Sequence, residues 1–328
     1  MPFAFARFAT FAYEQIGPRV RDWVTVNEPM VHLGGGYVLG LTPPGCGPNN
    51  PGCLLPVEGS RADQDHPYLG GGAPKKEDIL RVIEPARGLL RSHALAYQAI
   101  HIAARRLGAP VRVGLAHHLR VFDARHAINP LDWIIAGVLD KLWNWSVPNA
   151  TLTGKLEISI PFMFSHSETI EGLAGTQDFF GINYYTRDLV AFHWDKGISV
   201  KMETKKGVPL NDLGWEIYPK GMFRLLLDVR NRFPGMPVLI TENGVADRDD
   251  SDRGEFLRRH MRWVHRAIKQ GVPIEGYCHW SLLDNFEWSE GFGPRFGLYE
   301  VDYATQARRL RPSGKVFSEM ARDNGFRF

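Results

Sequence analysis

Apolar residues along the chain alternate between two patterns. Short β-branched or continuously apolar runs are separated by stretches where apolar residues recur every three to four positions. Trp23-Val-Thr-Val26 is the first short run, followed by Val111 to Ala116, Asp178 to Tyr185, Pro237 to Thr241 and Ile274 to Trp280. Between them lie helical patterns. One runs from about Arg81 to Leu107, with Leu90, Ala94 and Tyr97 on its inner face and Gly108 and Pro110 as stop signals. Met222, Leu225, Leu226 and Val229 mark a second between Lys220 and Phe233. Leu257, Met261, Val264 and Ile268 mark a third, closed by Gly271. Near the start, Phe8, Phe11 and Ala12 recur at i, i+3 and i+4, the buried face of an amphipathic helix. No basic region precedes it, so it does not read as a secretory signal.

Strands alternating with helices, and strands apolar on both faces, predict a parallel α/β domain. No internal repeat is present. The segment Gly34 to Ala73 is too long for an ordinary connection. Polar or aromatic residues cluster just past each strand: Asn27-Glu28, His117-His118, Asn183 to Tyr185, Glu242-Asn243 and Trp280 onward. A (β/α) barrel brings such positions together on one face; a doubly wound sheet lines them along one edge. No Gly-rich phosphate fingerprint follows any strand, which argues against nucleotide binding.

Composition narrows the choice. The chain has 328 residues, 44% hydrophobic and 23% charged, which excludes disordered and fibrous classes. Lys+Arg is 39 against Asp+Glu 36, too even for a nucleic-acid or anionic-membrane footprint. No apolar run approaches the roughly 18 residues of a membrane span. Three cysteines make no disulfide framework; Cys46 and Cys53 flank a loop and would pair only in an oxidising compartment. Cys278 reads as core filling. The expected compartment is the cytoplasm, where the sequons at Asn144 and Asn149 are irrelevant.

Two carboxylates carry the candidate chemistry. Glu28 and Glu242 each end a strand run, each beside an Asn. A carboxylate pair about 5 Å apart is what retaining glycoside hydrolysis requires. Two strand-end acids solvated in loops would look the same by spacing alone. His117-His118 lacks a further ligand at metal spacing. His260 and His265, among Arg258, Arg259, Arg262 and Arg266, read as a solvated basic helix face. The apolar region Ile128 to Trp145 fits helix packing, a lid or a contact with another chain, packing being favoured.

The segments Thr25-Val-Asn-Glu-Pro29 and Ile240-Thr-Glu-Asn-Gly244 resemble the two signature motifs of family 1 glycoside hydrolases, the β-glucosidase family. Further segments agree in order: Gly36-Tyr37 with Gly40 and Pro44-Gly45, Asp178 to Thr186, Gly214-Trp-Glu-Ile217 with Pro219, Gly276 to Trp288, and Arg295-Phe-Gly-Leu298. The resemblance runs from near Phe8 to the C-terminus. It implies a (β/α)8 barrel as one domain over residues 1–328, with only strands four to eight identifiable. The family carries three more strand–helix units ahead of these, which supply a Gln, an Arg beside the nucleophile and a His-Trp pair, the Gln and His being major hydrogen-bond partners of the sugar. A chain without them is expected to be a fragment, to associate with another copy or a separate piece that covers its strand edges, or to form a reduced barrel.

The resemblance also implies roles. Glu242 is the expected nucleophile and Glu28 the acid/base, kept protonated by the charge on Glu242. Asn27 would hold the sugar 2-hydroxyl, Tyr185 would orient Glu242, and Asn183 would line the same pocket. Trp280 and Trp288 would give the sugar ring an apolar face, and Glu287 would accept from its outer hydroxyls. Glu287 disfavours a 6-phosphate, and Glu28 argues against the thioglucosidase branch, where Gln stands there. The expected substrate is a non-phosphorylated β-glucoside or small oligosaccharide, with no cofactor or metal. The alternative is a truncated, non-catalytic carbohydrate-binding or interaction relative.

Overall fold

The structure, a computed structural model, describes residues 1–39, 76–194 and 198–325. Helix α1 (Pro2–Ile16) leads into β1 (Asp22–Asn27), and a π-helical turn follows at Val31–Leu39. Helix α2 (Lys76–Leu107) precedes β2 (Arg112–Ala124). Then come α3 (Pro130–Leu139), α4 (Ser146–Thr153) and a hairpin of β3 (Lys155–Ile160) and β4 (Phe164–Thr169). Strand β5 (Phe180–Trp194) pairs antiparallel with β6 (Ile198–Glu203) along its distal half. Next are α5 (Pro219–Arg232), β7 (Val238–Asn243), α6 (Arg253–Lys269) and β8 (Ile274–His279). A hairpin of β9 (Tyr299–Val301) and β10 (Arg308–Leu310) and helix α7 (Pro312–Asp323) complete the described chain.

Five strands form one parallel sheet in the order β1-β2-β5-β7-β8, which is also their chain order. Helices occupy every crossover, the signature of (β/α) winding. The sheet curls as a barrel wall does. Arg112 on β2 pairs both with Asp22 on the neighbouring β1 (2.7 Å) and with Glu275 on β8, three strands away across β5 and β7. In a flat sheet β2 and β8 would lie about 14 Å apart with parallel side chains. The architecture is an incomplete (β/α)8 barrel in which β1 and β8 are the edges among the described residues.

The core follows from the apolar periodicity. Leu225, Leu226 and Val229 of α5 are sealed against Phe180, Ile182, Tyr184, Val238 and Ile240 of the sheet. On α2, Leu90 and Ala94 are buried as expected, and Tyr97 donates to Asp178 (2.6 Å). Beyond β8, buried Asp284 accepts from Arg311 (2.9 Å) and from the Gly297 (2.9 Å) and Val301 (3.1 Å) amides, fixing the loop that follows the strand. Charged residues cross-link the distal ends of β2 and β5, where Arg120 pairs with Asp188 (2.6 Å) and Arg187 with Asp123 (3.1 Å).

Several expectations are corrected. Helix α1 buries Ala9 and Tyr13, while Phe8 and Phe11 are 64% and 59% exposed. The described residues pack on one side of that helix, through α2 and through Trp23 of β1, so its apolar stripe is wider than its contact. His260 is buried beneath Phe256 and Tyr184, not on the basic face of α6. Cys278 is exposed, because it lies on the edge strand β8. In the region Ile128 to Trp145, Trp145 is buried and donates to Asp140 (2.9 Å), and Trp143 packs on His118, whereas Trp133 and Ile134 are exposed. Cys46, Cys53 and most of the Gly34 to Ala73 segment lie outside the described residues; Gly34 to Leu39 is helical. Among the described residues no helix is long and apolar enough to cross a membrane.

Leu226 is fully buried between α5 and the sheet. Leu226→Ala is expected to lower unfolding stability by about 3 kcal/mol through lost burial plus a cavity. Urea denaturation followed by circular dichroism measures it; a loss below about 1 kcal/mol would mean that this seam is not tightly packed.

Candidate active site

The polar clusters seen past each strand meet at the C-terminal ends of the sheet strands. Glu28 follows β1 with φ of 50°, an uncommon conformation for a residue with a side chain. Three backbone hydrogen bonds hold it there. Its N–H donates to the Ala116 carbonyl (2.8 Å), and its own carbonyl accepts from Val31 (3.0 Å) and His32 (3.2 Å), the start of the π-helical turn. Glu242 lies within β7, directly paired in register with Asn183 of β5. Past it, Gly244 passes so close to β8 that an added Cβ would sit 1.9 Å from the Trp280 carbonyl oxygen. That contact explains the glycine of the Thr-Glu-Asn-Gly segment.

The two carboxylates are joined through two amides. Asn183 Nδ2 donates to Glu28 Oε1 (2.8 Å) and lies 3.0 Å from Asn27 Oδ1. Asn27 Nδ2 in turn donates to Glu242 Oε1 (3.1 Å), reaching from β1 to β7. Tyr185 Oη donates to Glu242 Oε2 (2.6 Å). Thr241 Oγ1 donates to Asn183 Oδ1 (2.6 Å), which turns the amide so that its NH2 group faces the acids.

The environment separates the two acids chemically. Burial pushes the Glu28 carboxyl up to about 7; the charge on Glu242 adds to this, while the Asn183 hydrogen bond and the Arg120 guanidinium oppose it. The expected cause is thus reordered: desolvation leads, and the neighbouring charge is second. Glu242 is also raised by burial, but donors from Tyr185, Asn27 and Asn183 pull it back. Burial and the adjacent carboxylates hold the Tyr185 hydroxyl well above its ordinary value, so it remains a donor. Glu28 is therefore the acid that stays protonated near neutrality, and Glu242 the better-solvated anion.

Beyond β8, Trp280 Nε1 donates to Glu287 Oε1 (3.1 Å), which joins two of the expected site residues; burial raises Glu287 and this bond opposes the rise. Trp288 is 70% exposed, also with φ of 50°, and its ring stands in solvent. The structure thus brings together Asn27, Glu28, Asn183, Tyr185 and Glu242, pairs Trp280 with Glu287, and leaves Trp288 apart. His117 faces Gln177 (3.0 Å) and Phe180. His118 packs its buried ring on Trp143 and Tyr185. No group of three metal-ligating side chains occurs among the described residues.

Sequence reasoning missed Thr241, whose only signal was its place beside Glu242. It singled out Asn243 beside Glu242 without a role; Asn243 donates to the Tyr184 carbonyl (2.7 Å) and accepts from Tyr277 (2.8 Å). It left open the wall that His118 and Trp143 make beside Tyr185.

Paired acids at the strand ends of an incomplete (β/α) barrel are the arrangement that glycoside hydrolysis uses. The sequence profile of glycosyl hydrolase family 1 matches residues 3–326, and the chain belongs to that family. A β-galactosidase of Sulfolobus acidocaldarius is 31% identical over 98% of this chain, which spans 59% of that protein's length. β-Glucosidase A of Thermotoga maritima is 29% identical over 98% of the chain and 68% of its own length. The solved structure of the family 1 β-glucosidase from Thermotoga maritima superposes with a TM-score of 0.80 at 27% identity, covering all of this chain and 69% of that one. A structure of that enzyme in complex with castanospermine matches with a TM-score of 0.79.

Two substitutions test the site without requiring turnover. Thr241→Val frees the Asn183 amide to flip its carbonyl toward Glu28; the Glu28 titration, followed by carbon NMR, is expected to move above about 7. No movement would mean the amide is held by something other than Thr241. Because the Glu28 pKa is raised on folding, the native state binds the proton more tightly, and stability falls as pH rises from 4.5 towards 7. Glu28→Gln removes that penalty. It is expected to raise the thermal midpoint relative to the parent at pH 8 and to leave it unchanged near pH 4.

Proposed function

We propose that this chain carries the catalytic carboxylates of a retaining β-glycosidase that hydrolyses non-phosphorylated β-glucosides by double displacement. The observation that carries the reading is the asymmetric pair: Glu28 protonated near neutrality, Glu242 braced as an anion, both bound to one pair of amides.

In the first half-reaction Glu242 attacks the anomeric carbon while Glu28 gives its proton to the leaving oxygen. Tyr185 holds the nucleophile, and Asn27 offers its amide beside the sugar 2-hydroxyl. Once Glu242 is esterified its charge is gone. The Glu242 contribution to raising Glu28 then vanishes, and Glu28 takes a proton from the water that completes hydrolysis. Glu287, held by Trp280, accepts from outer sugar hydroxyls and repels a phosphate there. Localisation in the cytoplasm belongs to the same proposal and rests on the sequence alone.

Nitrophenol release from an aryl β-D-glucoside tests the activity. Glu242→Ala is expected to reduce kcat by several orders of magnitude, and kcat/KM of the parent is expected to fall above about pH 7, as Glu28 ionises. Sugar binding without turnover in a folded sample would favour the alternative of a non-catalytic carbohydrate-binding relative. The edge of β1 beside Asn27, paired on one side only among the described residues, is the observation on that side.

A further inference from the structure

We infer that helix α3 and the far end of β5 form one face that docks on an anionic phospholipid surface, with Trp133, Ile134 and Trp194 entering the headgroup layer.

Helix α3 is inverted for a surface helix, which ordinarily turns its charged residues outward. Its one charged residue, Asp132, is fully buried, and its exposed positions are Pro130, Leu131, Trp133, Ile134 and Gly137. Trp133 and Ile134 are 56% and 55% exposed, and Ile128 in the loop ahead of them is 95% exposed. The end of β5 continues this face. Asp132 accepts from the Phe192 N–H (2.8 Å), and Val190 packs against Ala136 of α3. Trp194 follows on the same side of the strand as Val190 and Phe192 and is 75% exposed.

The polar groups beneath this face are satisfied from within. Asp132 also bonds the His126 N–H (2.9 Å), His126 Nδ1 (2.8 Å) and Asn129 Nδ2 (2.8 Å). Asn129 caps α3 by accepting from the Leu131 N–H (3.1 Å). Trp133 Nε1 donates to the Ala127 carbonyl (2.9 Å), so its ring leaves water without stranding a donor. Internal satisfaction is what a lipid phase demands of a protein surface. A protein partner's rim would instead be met by free donors and acceptors.

The charge around the face has one sign. Glu203 is paired with Arg125 and Asp188 with Arg120, and Asp140 holds Asn144 and Trp145. Lys141 just past α3, Lys201 on β6, and Lys205 and Lys206 after it are exposed and enter no ion pair among the described residues. The chain as a whole is near balance, 39 basic against 36 acidic residues, and the imbalance is local. An apolar face with tryptophans, flanked by unpaired lysines, matches an interface of anionic headgroups. Docking also brings the candidate site toward the surface, because β5 carries Asn183 and Tyr185 before it reaches Trp194.

The test floats the 328-residue chain with vesicles of phosphatidylcholine alone or mixed with phosphatidylglycerol, and follows hydrogen exchange in residues 126–139. The expected result is recovery with the mixed vesicles, less with phosphatidylcholine alone, a decrease as salt rises, and slowed exchange in that segment. The double variant Ile134→Asp, Trp194→Asp, at exposed positions, should weaken partitioning about tenfold or more with unchanged circular dichroism. Phe8→Asp, on the exposed face of α1, should leave it unchanged, which separates this face from general apolar adhesion. If the double variant does not fold, exchange in the parent decides. The inference is overturned if the chain floats with neither vesicle at low salt or equally with both. Unchanged exchange in residues 126–139, or a Phe8→Asp loss equal to that of the double variant, overturns it too. So does a dimer that protects the same segment without lipid. Flotation requires no turnover, so its failure leaves the glycosidase proposal standing, and an inactive chain leaves the docking face standing.

Discussion

One side-chain amide, that of Asn183, holds the two halves of the site together. A carboxyl removed from water needs a donor or a proton, and Glu28 has both: the Asn183 NH2 group and a pKa raised to about 7. The same NH2 group faces Asn27, whose own amide reaches Glu242, so the geometry of either acid is set by reference to the other. An amide can take two orientations, and only one presents donors to the acids. Thr241 selects that one from β7, the strand that carries Glu242.

The fold serves to keep Asn183 still. It sits on β5, the middle strand of the five, with Ile182 and Tyr184 on either side of it locked into the fully buried core against α5. Tyr184 is pinned at two points, through its hydroxyl to the Tyr218 carbonyl (2.6 Å) and through its own carbonyl to Asn243 (2.7 Å). Asn243 also holds Tyr277 of β8, so three adjacent strands are fixed in register behind the acids. The more distant network around Asp284 does the same for the loop that presents Glu287. Rigid strands rather than loops carry the inner residues, as positioning to fractions of an ångström requires.

The site's chemical asymmetry and the open flank of the sheet have one origin. Glu28 directly follows β1, an edge among the described strands, yet burial raises its carboxyl, while its backbone is held by β2 and by the π-helical turn that begins at Val31. Asn27, one residue earlier, is exposed although its amide reaches Glu242. Covering that flank would exclude water from Asn27 and Glu242 together and strengthen every electrostatic contact between them.

The sequence by itself determined the elements whose periodicity and burial agree. Helix α5 and strand β7 were legible because Met222, Leu225, Leu226, Val229 and Val238 to Ile240 are apolar where the core needs them. Family membership was legible because the motifs around Glu28 and Glu242 are local in the chain. The distal halves of β2 and β5 were not legible: Arg120, Asp188, Asp123 and Arg187 are charged, and they satisfy one another only across strands. Nor did periodicity show that Phe8 and Phe11 would stay exposed or that His260 would be buried, since an apolar or basic stripe does not say which of its neighbours is present. Both acids were named in advance, but the order of causes behind their charge states was not. That order depends on desolvation and amide orientation, which exist only once residues 27, 183 and 242 from three separate strands share one pocket.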